Sequence, residues 1–159
     1  MSLDLSTIFS RVLDLIAADP TCAPVPRIDQ LDTDYAEKYA TAIRDTGVVF
    51  TTWSAGGSPA EGNAFPEIRL RNDILLCVVE NTAPGKNATG QTAFQWVIRL
   101  LHIIHHAGQR RPVGRSTVRL NANAPAYELG PMGEGIVVYF INLTVDSIEP
   151  VGPLPAPAP

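Results

Sequence analysis

The run Ile74–Val79, ILLCVV, is apolar at every position. A strand with that pattern has no wet face, so it needs strand neighbours on both edges and packed layers on both sides. It is expected to be the central strand of a sheet, and the rest of the chain must supply what covers it. Val48–Trp53, VVFTTW, is rich in β-branched and aromatic residues and reads as a second strand, and Ile136–Val145, IVVYFINLTV, as a third. Glu67–Arg71 alternates charged and apolar residues, the pattern of a strand with one wet and one dry face. Asn72-Asp73 separates it from ILLCVV, either as a bulge within one strand or as a turn between two. Arg115–Leu120 adds a shorter strand.

Three segments carry helical periodicity. Leu5, Ile8, Phe9, Val12, Leu13 and Ile16 face one side, with Ser6, Ser10, Arg11 and Asp14 opposite. Asp19-Pro20 closes that helix, because the residue before a proline avoids αR. Pro24 and Pro26 then predict an irregular connection over 21–30. Asp34-x-x-Glu37 has the spacing of a capping box and opens a helix with Tyr35, Tyr39, Ala42 and Ile43 on one stripe. Gly47 stands where a C′ glycine would stop it. The strongest pattern runs from Gln91 to Ala107. Gln91, Gln95, Arg99, His102 and His106 form its polar face, Phe94, Val97, Ile98, Leu101 and Ile104 its apolar stripe, and Gly108 follows. His105 lies toward the apolar side and is expected to be partly buried.

Glycine, proline, serine and asparagine mark residues 54–63, 81–90 and 121–135 as loops, and 109–114 as a basic turn. Residues 150–159, PVGPLPAPAP, hold five prolines in ten positions and suit an extended, mobile polyproline end. Clustered rather than alternating helices favour an α+β fold. The expectation is a mixed, largely antiparallel sheet of about five strands, packed by two to three helices mainly on one face. Residues 1–149 would form one domain and 150–159 a tail.

Composition excludes several function classes. A chain of 159 residues, 45% hydrophobic and 18% charged, is too apolar for a disordered protein. A net charge of −4 argues against wrapping a phosphate backbone, which needs a dense basic face. The N-terminus lacks a basic n-region and Arg11 and Asp14 interrupt its apolar positions, which argues against a signal peptide. No apolar run approaches the roughly 18 residues a membrane span requires. Without a secretion signal, Cys22 and Cys77 are expected to be reduced thiols in a cytosolic protein. The sequons at Asn87 and Asn142 are then chance matches.

The candidates for chemistry fail on spacing. His102 and His106 are four apart and could share a metal, but they lie on the polar stripe with no HExxH glutamate and no third ligand marked. Gly85-Lys86 invites a phosphate-loop reading. A P-loop would need glycine where Glu80 stands and Ser or Thr where Asn87 stands. Arg110, Arg111 and Arg115 form a basic cluster too small to hold DNA by itself. There is no Gly-x-Ser-x-Gly. The chain is therefore expected not to be an enzyme and to use no metal or cofactor.

The succession IRDTGVVFTTWSAGG, then ILLCVVEN, TAPGKNATG and GQTAFQWVIRLLHIIHHAG, then EGIVVYFINLTVDSIEP resembles the tail-terminator, or tail-completion, proteins of long-tailed bacteriophages, of the type found in Mu-like phages and prophages. The likeness spans residues 5–148 and is one of pattern; the proline-rich tail and the long 121–135 loop depart from it. The resemblance implies a structural protein of the virion tail, assembled in the bacterial cytoplasm. It would form a homo-oligomeric ring, usually a hexamer, that caps the tail tube, ends its polymerisation and meets the head connector. DNA would pass through such a ring without tight binding, which an acidic subunit suits. A ring needs two different patches per subunit, and loops and free strand edges can supply them. Candidate contact residues are Trp53, Glu67, Arg69, Arg71, Lys86, Asn87, Arg110, Arg111 and Arg115. Two other readings compete. One is a small ligand- or metal-binding domain or enzyme using the His102/His106 helix and a pocket against the sheet. The other is a protein-interaction adaptor with the PLPAPAP segment as ligand for an aromatic groove.

Overall fold

A computed structural model of the chain describes residues 5–59, 67–108 and 117–150. Its elements are α1 (Leu5–Ala17), β1 (Arg27–Asp29), α2 (Tyr35–Asp45), β2 (Val48–Pro59), β3 (Glu67–Asn81), α3 (Ala93–Gly108), β4 (Thr117–Leu120), β5 (Tyr127–Leu129) and β6 (Ile136–Pro150). The strands form one six-stranded sheet in the order β1-β2-β3-β6-β4, with β5 also paired to β6. Among the described residues only the β1–β2 pairing is parallel. The fold is α+β, with a mixed, mostly antiparallel sheet, as the clustered helices predict.

The doubly apolar run sits in β3 at the centre of this sheet, between β2 and β6. Its alternating side chains enter two separate cores. Ile74, Leu76 and Val78 join Val48, Phe50, Ile141, Leu143 and Val145 beneath α1 and α3. On the opposite face Val79 and Val49 meet α2 through Ala42, with Tyr35, Tyr39 and Ile43 packed around them. Two of the three helices thus cover one face and the third covers part of the other.

Several expectations need correction. The proline-containing connection holds a 3₁₀ turn at Pro20–Cys22 and the short edge strand β1, which adds parallel to β2 at Phe50–Thr52. Both prolines of 21–30 precede that strand, so neither removes a donor from it. The expected loop after Trp53 is instead strand as far as Pro59, and the register slips between Ser54 and Gly56. Glu67–Asn81 is one strand in unbroken register with β6, so the bulge belongs to β2 and Asn72-Asp73 is neither bulge nor turn. The sheet has six strands because β1 and β5 both form inside expected connections while Glu67–Asn81 counts as one strand.

The capping boxes also change place. Asp34 caps α2 without a side-chain bond, its backbone at φ −102°, ψ 23° rather than extended. Asp32 organises that end instead, accepting from the Asp34 amide at 3.1 Å and from Lys38 Nζ at 2.6 Å. The reciprocal pair stands at α3. The Thr92 amide donates to Gln95 Oε1 at 2.9 Å, and the Gln95 amide donates to Thr92 Oγ1 at 3.3 Å. The buried face of α3 is also turned from the expected one. Ala93, Trp96, Val97, Leu100 and Ile104 are buried, while Phe94, Ile98 and His105 are exposed. Trp96 decides this turn: it fits edge-on against Phe50 at 5.6 Å and carries the largest apolar surface on the helix.

Thr92→Ala removes one half of the α3 capping pair and is expected to cost about 1 kcal/mol. Chemical denaturation should show a lower midpoint with an unchanged m-value.

Candidate functional site

The 81–91 loop joins β3 to α3, and the side chains of Asn87 and Thr89 are turned inward. Glu80, buried at the end of β3, accepts from the Ala93 amide at 2.8 Å and from Asn87 Nδ2 at 2.7 Å. A carboxylate is favoured there because the first amides of a helix carry unpaired donors and partial positive charge. Asn87 is fully engaged: Nδ2 also donates to the Gln91 carbonyl, and Oδ1 accepts from the amide and hydroxyl of Thr89. Thr89 Oγ1 in turn accepts from Trp96 Nε1 at 3.1 Å. The loop is anchored from outside as well, since the Ala88 amide donates to the Thr46 carbonyl and the Asn81 amide to the Gly47 carbonyl. Gly47 has φ +77°, and a Cβ there would collide with the Lys86 backbone carbonyl. Asn87 thus holds the loop closed, whereas the Lys86 side chain is exposed.

His102, His105 and His106 are all exposed on α3. His106 borders a shallow groove shared with Asp19 and Arg99, which pair at 2.8 Å to tie α1 to α3. Among the described residues no group of three or more His, Cys, Asp or Glu is placed to hold a metal ion. No described helix is long and apolar enough to cross a membrane.

Arg69 and Arg71 lie on β3 beside Asp73, on the α2 face of the sheet. Arg119 Nη2 approaches Asp146 Oδ2 at 2.9 Å and Oδ1 at 3.1 Å, and Arg71 Nε stands 3.8 Å from Asp146 Oδ1 without a hydrogen-bond partner. Asp146 is thus shared by two guanidiniums. The Glu67 backbone pairs with Pro150 at the end of β3. Arg110, Arg111 and Arg115 lie outside the described residues, as does the proline-rich stretch after Pro150.

Trp53 lies on the α2 face of the sheet, beside a stretch that α2 leaves open. Because α2 spans only one side of its face, a groove of about 440 Å³ remains between α2 and Pro131. Tyr35, Tyr39 and Trp53 form one wall and Leu75 and Phe140 lie in its floor. Trp53 is 41% exposed and meets Tyr35 edge-on at 6.0 Å, and Tyr35 stacks on Tyr39 at 5.9 Å. Cys77 lies beneath them, and burial pushes its thiol pKa up to about 12. Cys22 packs in the other core, so the two free thiols lie on opposite faces of the sheet.

A second apolar patch lies across the sheet. Phe94, Tyr127 and Tyr139 cluster with ring centroids 5.7–6.2 Å apart, and Ile98 and Leu129 stand exposed nearby on the same face. Sequence reasoning missed this patch because it placed Phe94 and Ile98 in the core and Tyr127 and Leu129 in a loop. The T-x-x-Q spacing at Thr92 and the unassigned Trp96 were the signals that could have set the helix correctly. No protein-family model and no curated protein sequence matches the chain.

The thiol of Cys77 should stay unreactive toward a disulfide reagent at pH 8, because its pKa of about 12 leaves almost no thiolate. Absorbance labelling should count no fast thiol in the native protein and two after denaturation.

Proposed function

We propose that this chain is a structural, ring-forming subunit of the phage tail-terminator type, capping a tail tube and meeting the head connector, and that it is not an enzyme. The observation that carries this reading is the presence of two unlike apolar patches on one subunit. One is the aromatic groove around Trp53, and the other is the Phe94–Tyr127–Leu129 surface on the opposite face. A closed ring is built from heterologous contacts, in which one patch of each subunit meets a different patch of the next. Exposed apolar clusters of this kind mark association sites rather than ordinary surface.

The long strands support the same reading. β2 pairs with β1 only through Phe50–Thr52, so the strand from Trp53 to Pro59 has no outer partner among the described residues, and its side chains from Trp53 onward are exposed. Exposed edges invite pairing with another chain. Here the bulge at Ser54–Gly56, Pro59 and the Gln30 side chain, which accepts from the Ser54 amide at 3.1 Å, restrict that edge. The groove and the β5 patch are therefore the stronger contact surfaces, with the arm as a support. The net charge of −4 suits a lumen that lets DNA slide.

Light scattering of the purified protein should give a mass near six times 17.1 kDa, alone at high concentration or on tail tubes. Leu129→Lys, at an exposed position, should reduce that mass while leaving the circular dichroism spectrum unchanged. A protein that is monomeric at every concentration and also fails to bind tube ends would sink the proposal.

A further inference from the structure

The groove around Trp53 has a recognisable chemistry. It is lined mainly by aromatic and aliphatic side chains, with Thr51, Ser54 and Cys77 between them and no charged group among the described residues. Three of the lining residues carry groups that can donate, the Tyr35 and Tyr39 hydroxyls and the Trp53 indole N–H, and the Tyr35 hydroxyl also accepts from Thr51 Oγ1 at 3.4 Å. Aromatic walls with spaced donors suit a polyproline II ligand, whose rings pack on aromatic faces and whose carbonyls lack internal partners. Such a ligand is stiff before it binds and loses little entropy on docking.

The chain carries a ligand of that class. Val151–Pro159, VGPLPAPAP, alternates proline with small or apolar residues and has no charged side chain. It follows Pro150, which pairs with Glu67 at the far end of β3 from the helices. Leu75, in the groove floor, pairs with Asn142, eight positions before Pro150, or about 27 Å back along the strand. Nine residues as polyproline II span about 28 Å. A chain's own segment would have to reverse at Pro150 and spend almost its whole length reaching Leu75, with nothing left to lie in the groove. A segment from a neighbouring copy is under no such constraint.

The geometry points to the groove of each subunit as the docking site for the Val151–Pro159 segment of a second copy. This rests on the ring reading only in requiring a neighbour. It would tie adjacent subunits by an extended arm rather than by surface packing alone.

The test uses the full chain and the fluorescence of its two tryptophans. Trp96 is buried, so a change in acrylamide quenching reports on Trp53. With the segment docked, Trp53 is shielded at high protein concentration. The shielding is lost on dilution, lost in Leu154→Asp, and restored to that variant by the synthetic peptide VGPLPAPAP. A peptide with alanine at each proline should not restore it. Fluorescein-labelled VGPLPAPAP should bind Leu154→Asp and fail to bind the Trp53→Ala/Leu154→Asp double variant, with circular dichroism confirming that both are folded. Shielding that persists at every dilution but is lost in Leu154→Asp assigns the segment to its own chain and overturns the second-copy site. No peptide binding together with unchanged quenching in Leu154→Asp overturns the site altogether. A multimer in which Trp53 is unshielded throughout overturns this inference and leaves the ring reading standing. A monomer at all concentrations overturns this inference, and the ring reading with it only if tube ends are not bound either.

Discussion

β3 carries apolar side chains on both of its faces, so the sheet around it must be covered twice. The other elements can be understood as partial answers to that demand. α1 and α3 together close one face over Ile74, Leu76 and Val78. On the other face α2 reaches Val49 and Val79 and stops, leaving Leu75 and Cys77 under a groove instead of a helix. The uncovered remainder is the most distinctive surface of the molecule, and its chemistry follows from the same rule. Beyond the helix, Tyr35 and Tyr39 from the edge of α2 and Trp53 and Phe140 from the strands line the opening.

The end of β3 solves a different problem. A buried carboxylate is costly unless it is paired or hydrogen-bonded, and Glu80 is held by the first amide of α3 and by Asn87. That arrangement fixes where α3 begins, and the Thr92–Gln95 pair repeats the fix one residue away. With the start set, Trp96 falls over Phe50, and Phe94 and Ile98 are turned outward toward β5. The second apolar patch is thus a consequence of how the helix is anchored. A loop that looked like a phosphate cradle or a contact loop serves as the anchor.

Function, on this reading, comes from surfaces rather than from a reacting centre. The histidines of α3 lie on the opposite side of the sheet from the groove, so a metal on the helix and a ligand in the groove would not meet. Two unlike apolar patches and long strands extending past the core are the parts a ring subunit needs. On the same reading, the proline-rich segment following β6 would be a further means of joining neighbours.

By itself the sequence determined the elements whose signal is periodic and long. The central strand, the amphipathic α1, the extents of α2 and α3 to within two residues, and the α+β class all follow from side-chain spacing, because spacing decides which face can be dry. Tertiary structure alone decided the rest. A glycine- and serine-rich stretch after Trp53 became strand because β3 offered it a partner edge, and β1 and β5, three residues each, exist only as additions to β2 and β6. No local propensity makes so short a strand; the hydrogen bonds of a neighbour do. The rotation of α3 depended on contacts of Glu80 and Trp96 with residues distant in sequence. Of the two candidate contact surfaces only the Phe94–Tyr127–Leu129 patch inherits that dependence, which is why Trp53 was legible from the sequence and Tyr127 and Leu129 were not.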